Sequence, residues 1–289
     1  MIEALALDPR ELVKRAPDLG SPPLVYRRLM AIIDDPRAGA DDVAHVISQD
    51  VALTVRLLRL VNSAFFSLGR RVDTVSEAVG AVGTTRVRDL ALATSVTSFF
   101  RNVPPELIHA ADFWRHSLAC GVGARAIASH CGVRDVEHFF VAGMLHDVGR
   151  LVLYIAAPSE ARAILDHASL REIPLYEAER DLTGFDHGTV GGALMESWNM
   201  PASLTEAVAL HHQPDSANLF RVEAAAVHVA DIVANGLELG RSGERIIPPR
   251  CEEAWSSLSI DDASLSSLTE RIQREYREAL SAFGLTESN

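Results

Sequence analysis

Lysine is almost missing from this 289-residue chain: Lys14 is the only one, and the other 26 of its 27 basic residues are arginine. That scarcity weighs against chemistry that needs a lysine, such as a Schiff base, a P-loop or a lysine general base. Cysteine is scarce as well. Cys120, Cys131 and Cys251 form no CxxC pair and are too few for a disulfide scaffold, which fits a reducing, cytoplasmic setting. Basic charge is in deficit, and the formal net charge is −12. A chain this acidic lacks the electrostatic footprint of a nucleic-acid or anionic-membrane binder. No uninterrupted run of 18 apolar residues suggests a membrane span. The N-terminus carries Asp8, Glu11 and Lys14 among its apolar residues, unlike a signal peptide. Convincing period-two segments are absent, so no sheet is expected.

Apolar residues are plentiful. They make up 48% of the chain, and mean hydropathy is +0.10, enough for one large core or two ordinary ones. Helical periodicity dominates. Ser21-Pro22-Pro23 signals a helix start ahead of Leu24, Leu29, Ile32 and Ile33. Asp41-Asp42 opens a second helix, residues 51–61 form a third, and Thr84-Thr85 caps one running to about Phe100. Asn102-Val103-Pro104-Pro105 is the natural boundary, because proline disfavours helix continuation. Further helices are expected near 106–131, 135–156, 159–170, 174–182, 187–198, 202–212 and 220–238, punctuated by Pro158, Pro174, Pro201 and Pro214. Residues 240–249 read as a loop. A last helix near 262–283 carries Leu265, Leu268, Ile272, Tyr276 and Leu280 on one face, suited to packing on the core. The fold expected is all-α, an N-terminal helical unit (1–103) packed on a helical bundle domain (104–240), with a C-terminal loop and helix (241–289).

The placement of the histidines carries the chemistry. His146-Asp147 interrupts the apolar run AGMLHDVGRLVL. Burying an unpaired carboxylate costs several kcal/mol, roughly, so Asp147 calls for a cation or a hydrogen-bond network, and a metal ion supplies the cation. Adjacent helical residues diverge by about 100°, so one addresses such an ion squarely and the other from the side. Gly143 and Gly149 nearby would let neighbouring helices approach. His116 lies on a buried stripe with Phe113 and Cys120, the cysteine acting as a small hydrophobe. His187 opens DHGTVGGALMESW, His211-His212 close LTEAVALHH, and Asp231 sits in VHVADIVA. Convergence of imidazole and carboxylate from several apolar helix faces is how metal sites are built in helix bundles. His228, one turn before Asp231, suits either support of a ligand or packing. His45, His109, His130, His138 and His167 read as surface or structural. Gly121 to Ala126 spell GxGxxA but follow a helix, not a strand, which argues against dinucleotide binding. Arg56, Arg59, Arg70, Arg71, Arg86 and Arg88 cluster in the first unit, as a solvated face or as a phosphate or acidic-partner surface.

The order His116, His146-Asp147, His187, His211-His212, Asp231 resembles the HD superfamily of metal-dependent phosphohydrolases. Residues 47–66 (ISQDVALTVRLLRLVNSAFF), together with FWRHS, GMLHDVGRLVL, FDHGTVGGALMESWNMP and LHHQP, sharpen this to a resemblance to the HDOD family of bacterial signalling domains, over about residues 17–232. The resemblance implies that His116, His146, Asp147 and Asp231 form the basic metal set, with Asp147 able to bridge two ions. His187, His211 and His212 match the additional ligands of the HD-GYP phosphodiesterases. One or two divalent ions are implied, and an N and O donor set suits Fe, Mn, Zn or Ni. Two departures matter. The chain reads QPDSAN where the phosphodiesterases continue to Gly-Tyr-Pro, and Arg150 occupies the slot of their lysine. Arginine binds phosphate well but is a poor proton shuttle.

The resemblance therefore implies a cytoplasmic bacterial signal-transduction regulator that acts through protein–protein contacts and retains a metal site. The alternative is a metal-dependent phosphohydrolase acting on a nucleotide or cyclic dinucleotide, with Asp147 and Arg150 as catalytic residues. A third is non-hydrolytic nucleotide sensing. A signalling protein, or a small phosphate ligand such as a nucleotide, is the expected partner. Monomer and homodimer are both compatible with the pattern.

Overall fold

Short polar side chains start the helices, and apolar stripes fold them together. The computed structural model describes residues 5–285 apart from 17, 18, 20, 34, 36, 64, 65, 67 and 98–102. The first helices are α1 (Pro9–Arg15), α2 (Leu24–Ile33), α3 (Ala40–Ser48), α4 (Val51–Val61), α5 (Val75–Val82) and α6 (Thr84–Val96). Next come α7 (Ala110–His130), α8 (Glu137–Leu145), α9 (Val148–Ala156), α10 (Pro158–Arg171) and α11 (Leu175–Thr183). The chain ends with α12 (His187–Ser197), α13 (Ala202–Leu210), α14 (Arg221–Gly236), α15 (Glu252–Ser257) and α16 (Asp262–Phe283). Among the described residues there is no strand, as expected for an all-α protein.

The helix starts follow local chemistry. The Asp50 carboxylate accepts the Leu53 amide at 2.9 Å, and Asp186 accepts the Thr189 amide at 2.9 Å, satisfying donors that a helix start leaves unpaired. Asp261 and Ser264 cap α16 reciprocally. Pro158 is the first residue of α10, and Pro174 and Pro201 immediately precede α11 and α13. Thr84 and Thr85 do not cap α6. Gly83, at φ 91°, takes that position without a side-chain bond. The expected end of this helix near Phe100, and Asn102 of the expected boundary, lie outside the described residues.

α7 forms the spine. It is buried continuously from Phe113 to Ala128, and α8, α14 and α16 pack around it. One cluster of buried side chains runs from Leu12 to Ala282. Leu268, Ile272, Tyr276 and Leu280 of α16 are part of it, so that helix packs on the core. The stretch Glu137–Ala156 is long and apolar enough to cross a membrane, but 89% of its most apolar window is buried inside the bundle.

Residues 135–156, expected as one helix, are in fact two. The chain leaves the helix at His146-Asp147, where Asp147 adopts φ −92° and ψ 4°. Tertiary packing imposes the break. Gly143 of α8 abuts the backbone of Cys120 and Gly121 in α7, and Gly149 of α9 abuts the His187 carbonyl and Gly191 amide in α12. A Cβ at either glycine would overlap backbone atoms. The two halves therefore dock on different partners, and the turn between them aims both His146 and Asp147 inward.

Residues 240–249 form a strap across the bundle. Gly240 (φ 82°) lies against the His116 amide, where no side chain fits. The Arg241 amide donates to the Asp112 carbonyl at 3.1 Å. The Glu244 carboxylate accepts the Leu175 amide at 3.0 and 3.1 Å.

Candidate metal centre

Each residue singled out for the metal set comes to one interior space. His116 projects from α7, and His146 and Asp147 from the α8–α9 turn. His187 is the first residue of α12, His211 and His212 follow the end of α13, and Asp231 comes from α14. His116, His146, His187 and His211 are fully buried or nearly so, as are Asp147 and Asp231. Asp147 divides the space. Its Oδ2 lies 3.3 Å from His146 Nε2 and 3.7 Å from His116 Nε2. Its Oδ1 lies 2.8 Å from His187 Nε2. Asp231 Oδ1 closes the first side, 3.0 Å from His116 Nε2 and 3.7 Å from His146 Nε2. On the second side His187 Nε2 lies 3.3 Å from His211 Nε2 and 3.1 Å from His212 Nε2.

This donor set fits one or two divalent cations. His146 Nδ1 lies 2.8 Å from the Gly143 carbonyl, and His211 Nδ1 lies 2.8 Å from the Val208 carbonyl. A ring N–H donated to a carbonyl leaves Nε2 as a bare lone pair facing the site, the usual set of a metal-bound histidine. His146 Nε2 is buried and has no hydrogen-bond partner. His211 Nε2 and His212 Nε2 both lie within 3.3 Å of His187 Nε2, and such nitrogens repel unless a proton or a cation lies among them.

The electrostatics show how the metal-free cluster is held. Burial opposes ionisation of Asp147, yet the charges of Arg150, His146 and His187 hold it well below the usual carboxylate range. Burial likewise opposes ionisation of Asp231, and the hydrogen bond from His116 outweighs it. For His116, burial works downward, but Cys120 and the Asp231 hydrogen bond push the ring up to about 10. For His187, burial and Arg150 work downward, and Glu179 and Asp147 raise it to about 9. His211 is pushed down to about 3 by burial and by His146 and His187. Histidines raised in the folded state contribute stability that is complete below their unfolded pKa near 6.5 and is lost as pH climbs through the folded value. His211 acts with the opposite sign, but only below that window. The melting temperature of chelator-treated protein is therefore expected to fall between pH 7 and pH 10, measured by thermal scanning. A flat or rising profile would contradict this charge arrangement.

Arg150 is engaged within the protein. Its guanidinium is buried, and Nη1 donates to the carbonyl and hydroxyl oxygens of Ser242, each at 2.9 Å. Asp147, Glu179 and Glu244 surround it at 3.6, 3.7 and 3.9 Å. It ties the ligand turn to the strap. A cavity of about 1180 Å³ lies on the outer side of the strap, lined in part by Glu106, Asp166, Arg241 and Glu244. None of the seven expected ligands lines it.

Several supporting residues escaped the sequence reading. Glu179 Oε2 accepts the His187 amide at 2.7 Å and lies 2.6 Å from His187 Nδ1. It follows Leu175 and precedes Leu182 on a buried stripe of α11, so a carboxylate among apolar positions was its signal. Asn235 Nδ2 donates to Asp231 Oδ1 at 2.8 Å. Tyr176 stacks on His212 with ring centroids 4.1 Å apart. His228 supports the site indirectly, with Nδ1 2.8 Å from the His211 carbonyl and Nε2 accepting the Cys251 amide at 3.1 Å. His138 and His167 pair with Glu223 and Asp181 away from the cluster. Gly121 to Ala126 lie inside α7, so that segment has no strand-to-helix turn. In the arginine cluster, Arg86 reaches Glu137 at 3.0 Å and Arg88 reaches Asp89 at 2.5 Å, while Arg71 pairs with Asp73 at 2.8 Å.

Known proteins place this architecture. A protein of Treponema pallidum, itself uncharacterised, is 27% identical over 202 residues, which is 70% of this chain. The chain spans only 39% of that relative's length. A crystal structure of an HDOD domain protein of unknown function from Geobacter sulfurreducens superposes with a TM-score of 0.75 at 22% identity, covering 95% of this chain and 99% of the other. A Shewanella amazonensis protein provisionally named a phosphohydrolase superposes with a TM-score of 0.72 at 23% identity, covering 95% and 97%. These likenesses establish the fold. The family model of the HDOD domain matches residues 19–214, more than half of the sequence, and the chain belongs to the HDOD family.

Proposed function

We propose that the protein is a cytoplasmic bacterial signal-transduction regulator that acts through contacts with a signalling protein and uses the buried cluster to hold one or two divalent ions. The state of Arg150 carries this reading. This buried cation beside Asp147 and His187 is engaged by Ser242 and three carboxylates. It lies beneath the strap and not at an opening where phosphate could meet it. The net charge of −12 argues against nucleic acid or an anionic membrane as the partner.

The complete ligand set favours a second reading, a metal-dependent phosphohydrolase acting on a nucleotide or cyclic dinucleotide. When bound, the ions would supply Lewis-acid activation of water and charge stabilisation at phosphorus. Asp147, shared between the two groups of histidines, would hold both ions in register. Arg150 would need to leave Ser242 before it could touch a phosphate.

Elemental analysis of protein purified without chelator is expected to find bound metal. His146→Ala and Asp147→Ala are expected to lose most of it, and unchanged content in both would sink the site assignment. With metal content known, turnover is measured across nucleotides and cyclic dinucleotides. The regulator reading expects none, together with altered signalling in a deletion strain and a reproducible partner. Turnover that tracks metal content and disappears in His146→Ala would establish the hydrolase.

A further inference from the structure

The geometry points to Cys120 as a metal ligand: we propose that His116, Cys120, His146 and Asp231 contribute to a thiolate-containing site that selects zinc over manganese or magnesium. The proposal rests on the cluster being a metal centre, and it alters what that centre is. Cys120 follows His116 by one helical turn, so their side chains share a face of α7. Its sulfur is fully buried, 3.4 Å from His116 Nε2 and 4.0 Å from Asp231 Oδ1. A cysteine acting as a small hydrophobe would face aliphatic neighbours, whereas this one faces an imidazole nitrogen and a carboxylate.

The distances suit tetrahedral coordination. Zinc bonds of about 2.3 Å to sulfur and about 2.0 Å to nitrogen or oxygen put ligand atoms roughly 3.3 to 3.6 Å apart. The four residues place their donor atoms within 4.8 Å of one another. The individual separations of 3.0, 3.4, 3.7 and 4.0 Å bracket the tetrahedral values. The second, independent sign is His146 Nε2, which is fully buried, points into the same space and forms no well-aligned hydrogen bond, its facing carboxylate oxygens lying 3.3 and 3.7 Å away. The backbone holds the sulfur in place, because Gly143 lets α8 press directly on the Cys120 carbonyl.

Two consequences follow. A thiolate among the ligands favours softer ions, zinc above all, over manganese or magnesium. With Asp147 Oδ2 also 3.3 Å from His146 Nε2, the protein supplies every donor that a four- or five-coordinate zinc needs, as structural zinc sites do. Asp147 Oδ1, 2.8 Å from His187 Nε2, still faces the second group, His187, His211 and His212.

The test is spectroscopic and independent of turnover. Metal-free protein is reloaded with cobalt(II), and the near-ultraviolet sulfur-to-cobalt charge-transfer band is recorded. The Cys131→Ser/Cys251→Ser protein is expected to keep the band. Cys120→Ser is expected to lose it while retaining the visible cobalt bands, and to shift zinc-over-manganese preference at least tenfold toward manganese. X-ray absorption at the zinc edge of the unmodified protein needs no variant and is expected to show a sulfur scatterer at about 2.3 Å. Cobalt or zinc that binds without any sulfur signal overturns the thiolate while leaving the metal centre standing. Protein that takes up no cobalt or zinc at all overturns both.

Discussion

The Gly149→Ala protein is expected to lose about 3 kcal/mol of stability or more, toward the upper end for an overpacked interior. One added methyl group meets the His187 carbonyl oxygen and the Gly191 amide nitrogen, both well inside van der Waals contact. Neither is the tip of a flexible side chain, so α9 and α12 must separate as bodies. That movement would also draw His187 away from Asp147, now 2.8 Å distant. Gly80→Ala is the matched control. It lies within α5 with nothing within 4 Å of its added Cβ, so alanine there is expected to gain up to about 1 kcal/mol through helix propensity. Urea denaturation of both proteins checks the pair. A Gly149→Ala midpoint close to wild type would mean that the α9–α12 contact is looser than described.

Arg150→Met is expected to cost the metal-free protein about 3 to 5 kcal/mol, the range for breaking a buried ionic network by removing one partner. Methionine fills much of the volume, so the loss measures charge and hydrogen bonding more than packing. Asp147, Glu179 and Glu244 would keep their burial and lose a shared cation. Arg150→Lys separates the two contributions, because lysine keeps the charge but cannot reach Ser242 and His187 with separate nitrogens. An intermediate loss is expected, again by urea denaturation. A lysine variant equal to wild type would make this arginine one more instance of the chain's general preference for arginine over lysine.

Much of the candidate site was legible because it breaks a local rule. His116, His187 and Asp231 are polar residues on apolar helix faces, and burial without a partner is costly enough that the pattern itself signals a shared ion. Glu179 obeys the same logic on α11 and was overlooked only because no histidine stood beside it. The break at His146-Asp147 was not legible. The run from 135 to 156 is locally helical, and the turn comes from two glycines docking on separate helices that are distant in sequence. Ser242 and Glu244 were hidden for a different reason. A polar loop after α14 looks like any solvent-facing connection until the fold lays it over Arg150. Thr84 and Thr85 show the weakness of cap signals when a glycine precedes them, since Gly83 takes the capping position.

The clustered residues are far apart along the chain, with Cys120 and Asp231 separated by 111 residues. Contacts of that span impose a large loop-closure cost before they return anything, and they slow folding. Docking of α14 on α7 must therefore precede assembly of the first ligand group, and a nascent chain released before α14 emerges has histidines but no centre. If the cluster binds metal, its formation therefore depends on when α14 is made, as much as on the affinity of its donors.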